Sequence, residues 1–563
     1  MPDEGIGCAS VGEESKKIRE IRNIKITAMA LIVVAILLMS GVIYVGIATK
    51  GGNATVLVYC TANHTLTLDP ADADDIGSLR PIGNIYETLI KYSSDENGLG
   101  FLEGLATSWT TSTDGLWYNF TLREGVRFSN GNLLTASDVK FSIERVLSMD
   151  SPNTGVARII SKSLDLNSTQ ILDDYHLSMK LKRPYAGFLA TIAQPFPMSI
   201  LDREYTLEQY SAADKYAHEF MSGNPMGTGP YMLETWQKGS EVVLVKNPLH
   251  WRGWSGNHTD KIVIREVADS ASIMSALEAG SADIADVPMS NLSDVADKPE
   301  LEVRTFRTYD MEIAVMNTVH SRTNHSFMKD ADVRKAFSYA FDYLNTSAQL
   351  YQGHMEGLNG PIPNGLPLSA EAQPTKHFVY NLSLASDLLN SSSHFLDVEN
   401  HRFNGTTLEL VVQGGDPLRI ASAESYALSL RRLGVLVTVE EGSSSVLEGR
   451  VDWDIFFAKK TLRYPDPDDY VTQLLVSSAG GGDFFRSGIS DSVIDSAARA
   501  ASASMSESTR LEAYERVWQE SKENPNMILI GQPECVFVSK SLATGLLFDP
   551  VTGLDFYTIW RNT

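Results

Sequence analysis

The chain has 563 residues, an ordinary 43% of apolar residues and a formal net charge of −23. That length exceeds what one hydrophobic core organises, so two or three domains are expected. The apolar content excludes wholesale disorder. The negative charge argues against nucleic acid as a partner, because most of the surface would repel its phosphates.

Residues 26–48 carry no charge, and a membrane-spanning helix needs about 20 such residues. Lys16, Lys17, Arg19, Arg22 and Lys25 precede this run, while Lys50 alone follows it closely. The bias predicts a cytoplasmic segment 1–25, an uncleaved anchor at 26–48, a short linker at 49–54 and an extracellular remainder. A cleaved signal peptide is the competing reading, but its apolar core would be shorter. Asn-x-Ser/Thr acceptor patterns recur from Asn53 to Asn404, among them Asn119, Asn257 and Asn345, as in an exported glycoprotein. Two cysteines, Cys60 and Cys535, lie beyond the apolar run; outside a cell they could pair, or both could be buried thiols. No Cys/His spacing for zinc exists.

Beyond the linker, Thr55 to Tyr59 reads as a first strand, and Leu68-Asp69-Pro70 opens a loop rich in aspartate. Pro81 to Lys91 has helical spacing. Trp117 to Leu122 alternates as a half-buried strand, and Asn130-Gly131 signals a turn. Thr135, with Asp138 three residues on, caps a helix whose apolar face is Val139, Ile143, Val146 and Leu147. Gly227, Gly229 and Pro230 make a tight corner before the strand that starts at Tyr231. Glu241 to Lys246 is a strand that Asn247-Pro248 stops. Ile273, Ala276 and Leu277 share a helix face that Gly280 ends. Val333, Ala336, Phe337, Ala340 and Phe341 mark a core-facing helix.

Asp452 to Tyr470 stands apart. A buried strand, Ile455 to Ala458, runs into three cations, Lys459, Lys460 and Arg463. Two prolines and three aspartates follow, in a stretch read as neither helix nor central strand. Asp466, Asp468 and Asp469 suggest a calcium loop at first sight, but Pro465 and Pro467 separate them and the terminal glutamate is missing. No His-Glu-x-x-His, Gly-x-Ser-x-Gly or Walker-type loop is present, so a hydrolase is disfavoured.

The stretch from Tyr118 to Leu147, YNFTLREGVRFSNGNLLTASDVKFSIERVL, closely resembles the signature of family 5 of the bacterial extracellular solute-binding proteins, the peptide- and nickel-type binding subunits of ABC importers. Leu68-Asp69-Pro70 with Asn84 to Leu89, the run 227–253, the run 276–286 and the run 332–342 are similar to further landmarks of that family. Together with the anchor and the acceptor patterns, the resemblance suggests an archaeal source.

The resemblance implies an α/β, periplasmic-binding-protein-like two-lobe fold of type II, in the large three-subdomain cluster, after the N-terminal transmembrane helix. Lobe 1 would comprise 55–310 plus 529–563, with 95–225 as an inserted subdomain, and lobe 2 would comprise 311–528. The implied function is capture of an oligopeptide, a dipeptide or a related small solute, anionic ones included, by hinge closure, with delivery to permease and ATPase subunits. A monomer without cofactor or catalysis is expected. A sensory or adhesive ectodomain and a nickel-chelate binder are the alternatives. In peptide-binding relatives an aspartate in this loop takes the α-ammonium group of the peptide, and the matching position here is Arg463. Lys460 stands where an aromatic residue is common. An arginine cannot pair with an ammonium group but suits a carboxylate or phosphate. The expected ligand-binding residues are therefore Arg463, Tyr464, Lys460, Thr461 and Asp466, with Tyr309 at the crossover and Arg80 opposite; the alternative is that Arg463 and the lysines pair with Asp466, Asp468 or Asp469 and touch no ligand.

Overall fold

The computed structural model describes residues 54–95, 98–149, 155–296, 298–319, 323–392, 403–442, 452–477, 488, 490–540 and 543–561. The fold below is that of the unit Thr55–Thr563. The expected cytoplasmic segment, the anchor and all but the last residue of the linker lie outside the described residues. Among the described residues, no helix is long and apolar enough to cross a membrane.

One long strand, Met527–Lys540, joins two halves of a mixed sheet. Its first residues, Met527 to Gly531, pair antiparallel with Met311–Met316. Its later residues, Glu534 to Lys540, pair with Leu301–Arg307 and Ile284–Asp286. On one side the sheet continues through Ile455–Lys460, Thr407–Gln413 and Leu436–Gly442. On the other it continues through Val56–Thr61, Lys261–Glu266, Glu241–Lys246 and Tyr231–Gln237. The chain therefore passes between the halves at Arg307 to Met311 and again inside Met527–Lys540. A separate four-stranded sheet is built from Ala106–Thr111, Trp117–Leu122, His176–Lys180 and Thr169–Ile171. Tyr118, Phe120 and Leu122 alternate into its core, as the period of two requires.

The landmark residues act as ties. Asp69 takes both guanidinium nitrogens of Arg145, at 2.8 and 2.5 Å, with both side chains fully buried. This bidentate pair locks the first loop onto the helix Ala136–Ser148, which Thr135 and Asp138 cap reciprocally. Burial opposes charge on Asp69, but Arg145 and His218 outweigh it and hold the carboxyl below its usual range. Glu87 accepts from the Thr228 hydroxyl at 2.9 Å and from the Trp251 indole at 3.0 Å.

Gly227 and Gly229 serve close approach rather than unusual backbone angles. A Cβ at either would sit 2.1 or 2.6 Å from the carbonyl oxygens that end the preceding helix at Asn84 and Ile85. Gly280 does end the helix Ser270–Ala279 in the left-handed conformation, with φ +74°.

Two sequence expectations are corrected. The helix expected over Pro81 to Lys91 spans Ile76–Ile85 instead, and Ile90–Asp95 is a strand. Asp75 sets the helix start by accepting from the Ser78 amide at 2.7 Å. Pro81 is tolerated inside because the Gly77 carbonyl, which a proline cannot reach, accepts from the Thr65 hydroxyl at 3.3 Å. The stretch read as neither helix nor strand contains the helix Pro467–Leu474. Proline at its first position loses no bond and brings a helical φ, Asp466 caps it, and Asp468 and Asp469 suit the positive end of its dipole.

Candidate ligand cleft

The Ile455–Lys460 strand lies between Met311–Met316 and Thr407–Gln413 and is buried almost throughout. Its end delivers four ionisable side chains to the interior. Lys460 and Asp469 form an ion pair at 2.8 Å, exposed by 2% and 0%. The Lys460 ammonium also donates to the Thr461 carbonyl and lies 4.4 Å from the centre of the Tyr470 ring. Asp469 accepts in addition from the Arg463 amide at 3.0 Å and from the Gln473 side chain. Asp466 is held by Arg510 at 2.6 and 2.7 Å. Asp468 accepts from the hydroxyls of Tyr464 at 2.9 Å, Tyr185 at 3.3 Å and Thr472 at 3.0 Å. Burial, with repulsion from Asp466 second, pushes the Asp468 carboxyl up to about 6.

Three cavities run along the end of this strand. The first, of about 440 Å³, has walls from both halves of the sheet. Arg80 pairs there with Asp286 at 2.9 Å, and across from them Lys459 pairs with Asp310 at 2.7 Å. Arg80 is buried, its guanidinium 4.9 Å from the Tyr59 ring and 5.5 Å from the Phe537 ring. Among the described residues, its Nε and the Oδ1 of Asp286 have no hydrogen-bond partner. Glu312 borders the same cavity and is clamped by Arg419 at 2.7 and 2.9 Å. A small second cavity, of about 170 Å³, shares Lys459 with the first and includes Lys460, Thr461 and Arg463. It shares Arg463 and Gln473 with a third, of about 480 Å³, which Tyr464 and Asp468 also border. Each cavity thus shares lining residues with its neighbour.

The seven expected residues therefore divide. Arg80, Arg463 and Thr461 border the cleft; Thr461 is exposed and Arg463 half-buried. Lys460 and Tyr464 are committed to partners inside the loop and Asp466 to Arg510 outside it, although Lys460 and Tyr464 border cavities. Tyr309 is buried, its hydroxyl donating to the Gly365 carbonyl at 3.3 Å and its own carbonyl accepting from Tyr470. Sequence reasoning missed Lys459, Asp310 and Asp286, which face one another only because distant strands pair. Cys60 and Cys535 are both free thiols, separated by the intervening strand Ile284–Asp286.

The family model for bacterial extracellular solute-binding proteins, family 5, matches residues 101–482. A probable D,D-dipeptide-binding periplasmic protein of Escherichia coli K12, DdpA, is 27% identical over 503 residues, spanning 88% of this chain and 92% of the relative. The di/tripeptide-binding protein 2 of Pseudomonas aeruginosa is 25% identical over 479 residues, spanning 81% and 85%. Among solved structures, that of NikA from Brucella suis in complex with Fe(III)-EDTA superposes with a TM-score of 0.78 at 20% identity, over 90% of this chain and 100% of the other.

Proposed function

Because the chain belongs to family 5 of the bacterial extracellular solute-binding proteins, the substrate-capturing components of ABC importers, we propose that it holds a short peptide in the cleft beside Ile455–Lys460. The observation that carries this reading is the pair of facing ion pairs, Arg80–Asp286 and Lys459–Asp310, on opposite walls of the first cavity. Balanced charge suits a zwitterion. Relatives named for D,D-dipeptides and di/tripeptides support peptide as the class.

Lobe 1 is taken as 55–310 plus 529–563, with 95–225 inserted, and lobe 2 as 311–528. The two crossings of the sheet would be the hinge, and closure would bury the solute and present a surface to the permease. The uncharged run 26–48, with five cations ahead of it, supports a single-pass anchor that leaves the binding unit outside the cell.

The test is mass spectrometry of solute released from the purified full chain, followed by titration calorimetry and small-angle scattering with the identified peptide. Binding should reduce the radius of gyration. A chain that releases no peptide, binds none from a di- and tripeptide library and never compacts would defeat the proposal.

A further inference from the structure

The third cavity carries a charge pattern that a zwitterion does not explain. Arg158, Lys162, Arg183, Arg463 and Arg499 all border it, and Asp468 is the one carboxylate among its described lining residues. The five cations come from parts of the chain that meet only in the fold. Arg158 and Lys162 lie on the helix Gly155–Ser163, Arg183 follows the strand His176–Lys180, Arg463 follows Ile455–Lys460, and Arg499 lies on the helix Ser492–Ala503. Among the described residues, none of the five has an ion-pair partner, in a chain whose net charge is −23.

Asp468 does not compensate them. Its oxygens are taken by Tyr464, Tyr185 and Thr472. Arg463 feels the others: burial lowers its pKa, Asp469 partly offsets this, and Arg158 lowers it further. Like charges gathered in a concavity repel one another, and low-dielectric walls, here including Ile159, Pro184 and Val476, strengthen the field inside.

We propose that this cavity is an anion subsite, which selects solutes whose far end carries a multiply charged oxyanion group, either clustered carboxylates or a phosphate. It deepens, and rests on, the reading of the cleft as the solute site. A peptide would place its ammonium end near Asp286 and Asp310 and its acidic end among the arginines. Arg463 would then be a specificity-determining residue, its planar fork matched to a carboxylate or phosphate.

The test uses the full-length chain and calorimetric titration with Ala-Glu-Glu, its counterpart with neutral side chains Ala-Gln-Gln, tricarballylate and inorganic phosphate. The parent should bind Ala-Glu-Glu about 10- to 100-fold tighter than Ala-Gln-Gln, with the margin shrinking as salt is raised. The variant Arg158→Gln/Arg183→Gln/Arg499→Gln replaces exposed side chains and should melt like the parent. It should lose the preference, with Ala-Glu-Glu weakened far more than Ala-Gln-Gln, whose one carboxylate is its C-terminus. Equal binding of both peptides by the parent, or a preference that survives the triple variant, overturns the proposal. If neither peptide binds but tricarballylate or phosphate binds and needs the arginines, the subsite stands and the peptide reading falls; the better of the two identifies carboxylate or phosphate. Failure of all four probes sinks both.

Discussion

Lys460→Met separates a solute-contacting role for this lysine from a structural one. The ammonium is 2% exposed and 2.8 Å from Asp469, which is not exposed at all. Methionine keeps most of the stem volume, so the substitution removes the charge and little packing. It leaves the buried Asp469 carboxyl with only the Arg463 amide and the Gln473 side chain as donors among the described residues. Breaking a buried pair by removing one partner typically costs about 3–5 kcal/mol. A unit of roughly 500 residues has an unfolding entropy of about 1 kcal/mol per degree, so the loss corresponds to a fall in Tm of about 3–5 °C. Differential scanning calorimetry reads this directly. Lys460→Met/Asp469→Asn should regain most of it, because an uncharged amide no longer needs the cation. The reasoning fails if Lys460→Met melts within about 1 °C of the parent, or if the second substitution makes matters worse. A variant that melts normally but binds solute poorly would return Lys460 to the list of ligand contacts.

Two further outcomes follow from the geometry. The Asp468 carboxyl is raised from 3.8 to about 6, chiefly by burial, so the folded state binds its proton more tightly than the unfolded chain. The stability penalty of ionising it is therefore absent below the unfolded pKa and complete above the folded one. Linkage makes this penalty grow by about 1.4 kcal/mol between pH 5 and pH 7.5, so Asp468→Asn should gain that much relative to the parent over the same interval in urea unfolding. A difference independent of pH would remove the effect. Gly229→Ala should destabilise by about 2–4 kcal/mol, since the new Cβ would meet backbone atoms of Asn84 and Ile85 at 2.6 Å and neither can swing aside. A melt unchanged from the parent would show that the helix end can yield.

The family landmarks were legible in the sequence because they are local or short-range devices. The cap at Thr135 and Asp138, the strand Glu241–Lys246 and the helix stop at Gly280 each follow from residues a few positions apart. The helix Pro467–Leu474 was misread because prolines and aspartates mark both turns and helix starts, and only the chain beyond decides between them. The partners of the loop were illegible for a different reason. Asp466 meets Arg510, Asp468 meets Tyr185, and Lys459 meets Asp310 across separations that no periodicity encodes. The same holds for Arg158, Arg183 and Arg499, each unremarkable in its own helix or turn and significant only where the segments converge.

That convergence bears on how such a scaffold can change its solute. Within the loop after Ile455–Lys460, Lys460, Asp466, Asp468 and Asp469 are all consumed by the structure, each meeting a partner that would be left buried and charged, or unbonded, if it were replaced. Arg463 differs. Its backbone amide serves Asp469, a role that any residue but proline can fill, while its side chain is half-buried at the wall shared by two cavities. The position can therefore exchange an aspartate for an arginine at little cost to the fold and, if the proposed subsite holds, with a reversal of charge at the solute. For that reversal to be useful rather than repulsive, the surrounding wall must agree with it, and the arginines at 158, 183 and 499 supply that agreement from three other segments. The single substitution Arg463→Asp would set a carboxylate against the four remaining cations, Arg158, Lys162, Arg183 and Arg499, and it would pair with them instead of with a solute. Ammonium recognition by a carboxylate at this position would therefore require the other arginines to change as well.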